Sequence, residues 1–300
     1  MAAIETTGVT KTFDDVVAVR DVDLTVREGD VYGLIGPNGS GKSTIFRILL
    51  DFVRPTSGRA TIFDHDVHAD RLAVRDHVGV VPEGYAVYDR LTGLEHVEFV
   101  SEIRGVDADP VALLERVGLE DAADRRAGGY SSGMTKRLML AMALVGDPDL
   151  LLLDEPFQGL DPRAVLTLRE TIRDERDRGR TVFFSSHLFR EVEAVCDRVA
   201  LLLDGEVIAE DDLESIRTRA DTGSLDLVVG DPETATEQLA SVDAVLDVER
   251  DGSTVTVTCE RGAKTTAYEA ISQADVDVVD FATSADPLEQ VFLEAMEDDE

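Results

Sequence analysis

The stretch "VYGLIGPNGSGKST", residues 31–44, decides the fold of this chain of 300 residues. "VYGLI" predicts a buried strand, and "KSTIFRILLDFV", which begins at Lys42, predicts a helix. Between them, "GPNGSGKST" fits the pattern G-x-x-x-x-G-K-[ST], whose glycines let backbone N–H groups wrap phosphate groups. We expect Lys42 to reach the β- and γ-phosphates of a nucleotide and Ser43 to offer its hydroxyl to Mg²⁺. The sequence therefore predicts a phosphate-binding loop.

A second motif places two acids after another apolar run. "LLLLDEP", residues 150–156, predicts a buried strand with Asp154 at its carboxyl end and Glu155 next to it. We expect Asp154 to hold Mg²⁺ through water and Glu155 to act as the base that orients the attacking water. Together the two motifs predict phosphoryl transfer from a bound nucleotide.

The order of the elements predicts an α/β fold with a second, smaller domain. Strand patterns such as "TVFFSS" and "RVALLLDGEVIAE" alternate with helical ones, which predicts a parallel sheet with helices on both faces. Residues 4–35 predict short strands, and residues 91–145 are largely helical. The chain then reads strand, helix, strand, strand, helix, strand, the ferredoxin-like order, before a closing helix from Asp286. We expect two domains, residues 1–215 and 216–300.

The charge of the chain is strongly negative. It has 62 acidic and 29 basic residues, a formal net charge of −33. This excess argues against direct binding to nucleic acid or to anionic lipid. An acid-rich, lysine-poor chain resembles proteins of salt-accumulating halophiles. In molar salt the Debye length is only about 3 Å, so the repulsion among the carboxylates is screened. A merely acidic surface is the alternative. The lysines are Lys11, Lys42, Lys136 and Lys264.

Other residue types add little chemistry. Cys196 and Cys259 fit no metal or redox spacing and are expected to be buried thiols in a reducing cytosol. His65 and His68 lack matching ligands and are expected in a surface turn, with a metal site as the alternative. No apolar run approaches a membrane span, and the N-terminus lacks the features of a signal peptide. We expect a soluble, cytoplasmic chain whose membrane role comes through a partner.

The order of three motifs resembles the ATP-binding cassette (ABC) family over roughly residues 3–215. The phosphate-binding loop comes first, "YSSGM" at residues 130–134 second, and the acid motif last. The resemblance implies the P-loop ATPase core of that family: a mixed sheet with helices, an antiparallel β subdomain and a helical subdomain at about residues 84–145. A small ferredoxin-like α+β domain would follow it.

The signature "YSSGM" is implied to act on a second subunit. In ABC proteins this motif grips the γ-phosphate of ATP held by the other subunit's phosphate-binding loop. Ser131 and Gly133 are therefore implied to contact ATP bound by a second copy of the chain or by a paralogue. Ser132 and Met134 depart from the commonest form, which has glycine and glutamine at these positions.

Further residues match the family's motifs one by one. Phe13 stands where cassettes stack an aromatic ring on adenine, with a buried strand position as the alternative. Asp161 in "GLDP" matches a loop that communicates across the dimer. His187 in "TVFFSSHL" matches the switch histidine that contacts the γ-phosphate. The loop residues implied to contact the nucleotide are Gly36, Pro37, Asn38, Gly39, Ser40, Gly41, Lys42, Ser43 and Thr44.

Glu83, in "VVPEGYAVYDRLT", stands where the family usually has glutamine. A carboxylate there can still meet Mg²⁺, so the implied metal residues are Ser43, Glu83 and Asp154. We expect its added charge to alter the metal dependence or the rate. Tyr85 and Tyr88 beyond it are expected either to line the groove that receives a membrane partner's helix or to pack locally.

These variants and the C-terminal appendage resemble the ATPases of type-2 (ABC-2) exporters, which work with a separate six-helix permease. The resemblance implies a dimer that binds ATP and Mg²⁺ at the inner face of the membrane. A soluble ABC ATPase of DNA repair or translation is the alternative, although the chain lacks the long heptad insertion or the second cassette of those types. A P-loop kinase or GTPase is a further alternative, but such a protein would lack the signature "YSSGM". The C-terminal domain is expected to stabilise the dimer or dock a partner, with ligand sensing as its alternative.

Salt should stabilise the folded chain. Because KCl screens the repulsion among its carboxylates, the melting temperature should rise steadily from low to molar KCl. Thermal unfolding followed by circular dichroism checks this. Equal melting temperatures at low and molar KCl would contradict the halophilic interpretation.

Overall fold

A computed structural model of the protein describes residues 1–84, 86–219, 222–260, 263–274, 276–282 and 288. The contacts between Cα atoms divide the chain into two compact units, Met1–Asp212 and Leu213–Glu300. The domain boundary at residue 215 stays a prediction. None of the described helices is long and apolar enough to cross a membrane.

The first unit combines two sheets with a set of helices. Its described strands are β1 (Ala2–Phe13), β2 (Val16–Arg27), β3 (Val31–Ile35), β4 (Ser57–Ile62), β5 (His65–Asp66), β6 (Val78–Val81), β7 (Leu150–Leu153), β8 (Thr181–Ser186), β9 (Arg198–Leu203) and β10 (Glu206–Asp212). Its described α-helices are α1 (Lys42–Leu49), α2 (Arg71–His77), α3 (Gly93–Arg104), α4 (Pro110–Arg116), α5 (Ser132–Ala143), α6 (Pro162–Asp177) and α7 (Phe189–Val195).

The larger sheet has the strand order β10-β9-β3-β8-β7-β6. β3 pairs in parallel with both β8 and β9, and β7 pairs in parallel with β8 and β6. β10 joins the edge antiparallel to β9. Every residue of β3, β7 and β8 is buried, as expected for parallel strands covered on both faces. The predicted mixed sheet is confirmed.

The smaller sheet is antiparallel, in the order β2-β1-β4-β5. The prediction of short strands in residues 4–35 is wrong for β1 and β2, which each run for 12 residues, although β3 has only 5. β1 is paired along both edges, and its register shifts around Gly8, whose φ is 57°. A bulge of this kind bends a strand without ending it.

Three helices of the first unit, α3, α4 and α5, pack against one another. Their N-caps are Thr92, Asp109 and Ser131, and each accepts a hydrogen bond from a backbone N–H of the first turn. Such caps satisfy donors that the start of a helix leaves unpaired. The cap on α5 fixes the position of Ser131 at a helix N-terminus.

A buried ion cluster ties α4 to α6. The Glu175 side chain on α6 is fully buried, and it pairs with Arg116 of α4 and with Arg178 and Arg180. A buried carboxylate needs such partners because it has lost its water. The cluster therefore holds α4 against the helix that follows the "GLDP" loop.

The second unit contains an antiparallel sheet in the order β12-β13-β11-β14. Its elements follow the predicted order, and the ferredoxin-like assignment stays a prediction. Apart from Leu288, the closing helix predicted from Asp286 lies outside the described residues. The described elements are α8 (Leu213–Arg219), β11 (Thr222–Val229), α9 (Pro232–Leu239), β12 (Val245–Asp251), β13 (Thr254–Glu260), α10 (Lys264–Gln273) and β14 (Val278–Ala282).

Candidate functional site

The phosphate-binding loop joins β3 to α1 through positions that require glycine. Gly39 and Gly41 have φ values of 91° and 108°, in the left-handed region. A Cβ at Gly36 would lie 2.1 Å from the carbonyl oxygen of Leu202, and a Cβ at Gly41 would lie 2.6 Å from that of Ala18. The loop therefore presents backbone rather than side chains along this stretch, in the strand–loop–helix context that the motif requires.

Lys42, the first residue of α1, points its ammonium back into the loop. Nζ donates to the carbonyl oxygens of Gly36 (2.7 Å) and Pro37 (3.1 Å) and lies 3.5 Å from Glu155 Oε1. The Lys42 and Glu155 side chains are each only 6% exposed. Because little solvent screens this pair, its attraction is strong and helps to hold the ammonium at the centre of the loop.

A cavity of about 260 Å³ opens beside the loop. It brings together most of the loop residues predicted to bind nucleotide and two of the predicted acids. Gly36, Pro37 and Ser40 do not line it, and Ser40 is buried. The lining residues are Ala18, Asn38, Gly39, Gly41, Lys42, Ser43, Thr44, Glu83 and Glu155.

Asp154 and Glu155 follow β7 and are held by one hydroxyl on β8. Ser185 Oγ donates to Asp154 Oδ1 (2.6 Å) and accepts from the backbone N–H of Glu155 (2.8 Å). The pKa of the Asp154 carboxyl is raised, chiefly by burial and further by the charges of Glu83 and Glu155. The hydrogen bond from the Ser185 hydroxyl acts in the opposite direction and lowers it. Glu155 has a φ of 46°, a conformation uncommon for a residue with a side chain.

His187 follows β8 and reaches the same carboxylate. Its Nδ1 lies 3.0 Å from Glu155 Oε2, while Lys42 lies on the Oε1 side. The two contacts fix the carboxylate plane of Glu155. The structure thus brings Lys42, Glu155 and His187 together.

The signature residues are not part of this cavity. Ser131 is exposed, and its Oγ accepts the backbone N–H of Met134 at 3.3 Å. Gly133 is buried against α6, where a Cβ would lie 2.6 Å from the Cβ of Ala164. Neither residue lines the cavity beside Lys42. The exposed N-terminus of α5 is thus a separate surface.

The signature contacts the "GLDP" loop directly. Ser132 Oγ donates to the carbonyl oxygen of Gly159 at 3.2 Å, so the serine that replaces the usual glycine has a specific partner. Asp161 caps α6, because its Oδ1 accepts the backbone N–H groups of Arg163 and Ala164, both at 3.0 Å. The two motifs predicted to work across a dimer therefore share one surface region.

Phe13 is the last residue of β1 and is not among the residues that line the phosphate cavity. Its side chain is 41% exposed, and the Lys11 ammonium lies 4.9 Å from the ring centroid. The alternative of a buried strand residue is therefore wrong. An exposed ring of this kind can stack on a planar ligand.

Sequence patterns do not single out two residues beside the acids. Ser185 reads as part of a buried strand, and only the pairing of β7 with β8 brings its hydroxyl to Asp154. Lys136 lies on α5, and its Nζ donates to the carbonyl oxygen of Glu155 at 3.1 Å. The feature of the sequence that could have drawn attention to Lys136 is the rarity of lysine, because nearly all other cations of this chain are arginines.

The fold and site define a P-loop nucleoside triphosphatase, with a glycine loop and its lysine after β3 and two acids after β7, at the carboxyl ends of parallel strands of one sheet. The family model described as ABC transporter matches residues 19–158. The chain is 33% identical over 303 residues to the daunorubicin/doxorubicin resistance ATP-binding protein of Streptomyces peucetius, covering 97% of this chain and 91% of the relative. The chain therefore belongs to the ABC transporter family, as an ATP-binding ATPase.

Two further comparisons agree. The Nod factor export ATP-binding protein I of Bradyrhizobium diazoefficiens is 41% identical over 213 residues, covering 69% of this chain and 70% of the relative. A dimeric ATP-binding cassette in a post-hydrolysis state, bound to ADP and Pi, superposes with a TM-score of 0.62 at 26% identity, covering 70% of this chain and 98% of that one. The similarity to the Streptomyces relative extends through both units.

Ser185→Ala should shift the pH dependence of ATP hydrolysis. The change removes the hydrogen bond that lowers the pKa of the Asp154 carboxyl, so that pKa rises further. If ionised Asp154 is required, the acid limb of the kcat/KM profile moves to higher pH, and activity at neutral pH falls about 10–100-fold. Phosphate release measured across the acid and neutral range checks both effects.

Ser101→Ala is the matched control, since it removes a buried hydroxyl from α3. Its profile should coincide with that of the unaltered protein. An unshifted acid limb in Ser185→Ala would contradict the role given to this hydroxyl.

Proposed function

We propose that the chain is the ATP-hydrolysing subunit of a type-2 (ABC-2) exporter and energises a separate membrane permease. The observation that carries the proposal is the separation of Ser131 and Gly133 from the cavity that Lys42 lines. The exposed N-terminus of α5 suits an anion, yet the chain's own loop cavity does not include it. A second copy or a paralogue would bring its signature to ATP held by the loop. The dimeric cassette among the similar structures supports this arrangement.

The proposed reaction divides its tasks among residues of both subunits. Lys42 and the loop N–H groups offset the charge of the β- and γ-phosphates, and Ser131 of the other subunit approaches the γ-phosphate. Glu155 accepts a hydrogen bond from the attacking water and orients it. His187, 3.0 Å from Glu155 Oε2, fixes that carboxylate and reaches the γ-phosphate. Asp161 acts across the dimer beside the signature.

The oxygen donors fit a Mg²⁺ ion that is held largely by the substrate. Ser43 and Glu83 line the cavity, and buried Asp154 lies beside Glu155. Within the described residues, no group of three or more His, Cys, Asp or Glu side chains could hold a metal ion. Mg²⁺ is commonly held by one or two carboxylates together with phosphate oxygens and water. When bound, the ion would neutralise phosphate charge, and Ser43, Glu83 and Asp154 would hold it.

The names of the relatives support an export role. One is a drug-resistance ATP-binding protein and another a Nod factor export ATP-binding protein. An apolar cavity of about 310 Å³, lined in part by Val87, Val100 and Met139, offers a place for a permease helix. Tyr88, next to Val87, is 63% exposed and packs edge-on against Phe99. Tyr85, predicted for the same groove, lies outside the described residues.

The site of action follows from these proposals. The chain would work on the cytoplasmic face of the membrane, bound through its permease, as a homodimer or with a paralogue. Its 62 acidic and 29 basic residues support a salt-rich cytoplasm of the halophilic kind. The same charge disfavours nucleic acid as a partner.

Glu155→Gln should trap the ATP-bound dimer. The amide keeps the size of the side chain but cannot act as a base, so kcat should fall by at least about 100-fold while ATP still binds. We expect the variant, expressed with its permease, to form an ATP-dependent dimer that copurifies with an integral membrane protein. Phosphate release, light scattering and affinity purification from membranes provide the three measurements.

Glu170→Gln is the matched control, because it changes an exposed glutamate on α6. It should hydrolyse ATP normally and show no trapped dimer. A monomeric Glu155→Gln chain with bound ATP would overturn the composite site. An ATP-dependent dimer found in the soluble fraction alone would overturn the exporter and favour the soluble ABC ATPase.

A further inference from the structure

Lys136 connects the signature helix to the predicted catalytic base of the same chain. It lies on α5, one turn after Gly133, and is half-buried. Its Nζ donates to the carbonyl oxygen of Glu155 at 3.1 Å. Lys136 therefore acts on the backbone of Glu155, whereas Lys42 and His187 contact its carboxylate.

The backbone of Glu155 needs support. Its φ of 46° lies in the left-handed region, which is unfavourable for a residue with a Cβ and persists only when neighbours hold it. The N–H is held by Ser185 Oγ at 2.8 Å, and the carbonyl oxygen accepts from Lys136 and from the N–H of Gln158 at 3.3 Å. Of these donors to the carbonyl, the ammonium is the charged and therefore the stronger one.

Lys136 also faces a concentration of negative charge. Burial lowers the pKa of its ammonium, and the carboxylates of Glu83, Asp154 and Glu155, in that order, raise it. Glu83 brings one negative charge more than the glutamine usual in this family. The Lys136 ammonium therefore offsets part of the charge of Glu83, while Lys42 is paired with Glu155.

We propose that Lys136 is a positioning residue for ATP hydrolysis: it fixes the backbone of Glu155 and compensates the charge of Glu83 beside the phosphates. The proposal rests on the function proposed for Glu155. It predicts that Lys136 affects the hydrolytic step far more than nucleotide binding. It also predicts that the need for its charge depends on the residue at position 83.

Two substitutions separate the contribution of the Lys136 hydrogen bond from that of its charge. Lys136→Met removes both the hydrogen bond and the charge, and should lower kcat about 10–100-fold, with the dissociation constant for mant-ADP unchanged within about twofold. Lys136→Gln keeps an N–H donor and removes only the charge. In a Glu83→Gln background, Lys136→Gln should therefore cost less than about threefold in kcat, whereas in the Glu83 background it costs clearly more. All measurements use the full chain with MgATP.

Lys264→Met is the matched control, since it removes a lysine from α10 in the second unit. It should leave kcat and mant-ADP binding unchanged. The proposal is overturned if Lys136→Met retains full kcat, or if Lys136→Gln costs equally much with Glu83 and with Gln at position 83. If Lys136→Met does not fold, the kcat of Lys136→Gln with Glu83 and with Gln at position 83 still tests the proposal. Full ATPase activity of Glu155→Gln would instead contradict the proposed function itself, independently of the results for Lys136.

Discussion

The parallel pairing of β8 between β3 and β7 is the constraint on which the site depends. It aligns the carboxyl ends of the three strands, so that the phosphate-binding loop, the two acids and His187 meet at one edge of the sheet. Glu155 then contacts Lys42 at 3.5 Å and His187 at 3.0 Å. A register slip of one residue would turn Ser185 to the other face, away from Asp154. The buried strands thus determine the positions of the reactive residues in the loops.

The sequence predicts the parts of the site that are local, because a strand, a glycine loop and a helix follow one another within residues 31–49. It cannot predict contacts that only pairing and packing create. Ser185 lies 31 positions from Asp154, and Lys136 lies 19 positions from Glu155, so no motif joins them. The length of β1 likewise depends on its two partner strands, not on its own turn signals.

Two departures from the usual family motifs gain a physical explanation from their neighbours. Ser132, in place of glycine, donates to the carbonyl oxygen of Gly159 and joins the signature to the "GLDP" loop. Glu83, in place of glutamine, stands among carboxylates that Lys136 faces. In both cases the altered residue is matched by a partner elsewhere in the same chain.

The central claim is that two chains build each ATP site, and complementation between two inactive variants tests it most directly. Lys42→Met disables the loop, and Ser131→Arg disables the signature, so each homodimer should be nearly inactive. In a dimer of one chain of each kind, one site keeps both an intact loop and an intact signature. An equal mixture should therefore recover about a quarter of the unaltered ATPase activity, since about half of the dimers are mixed. A mixture no more active than the sum of its separate components would contradict the account.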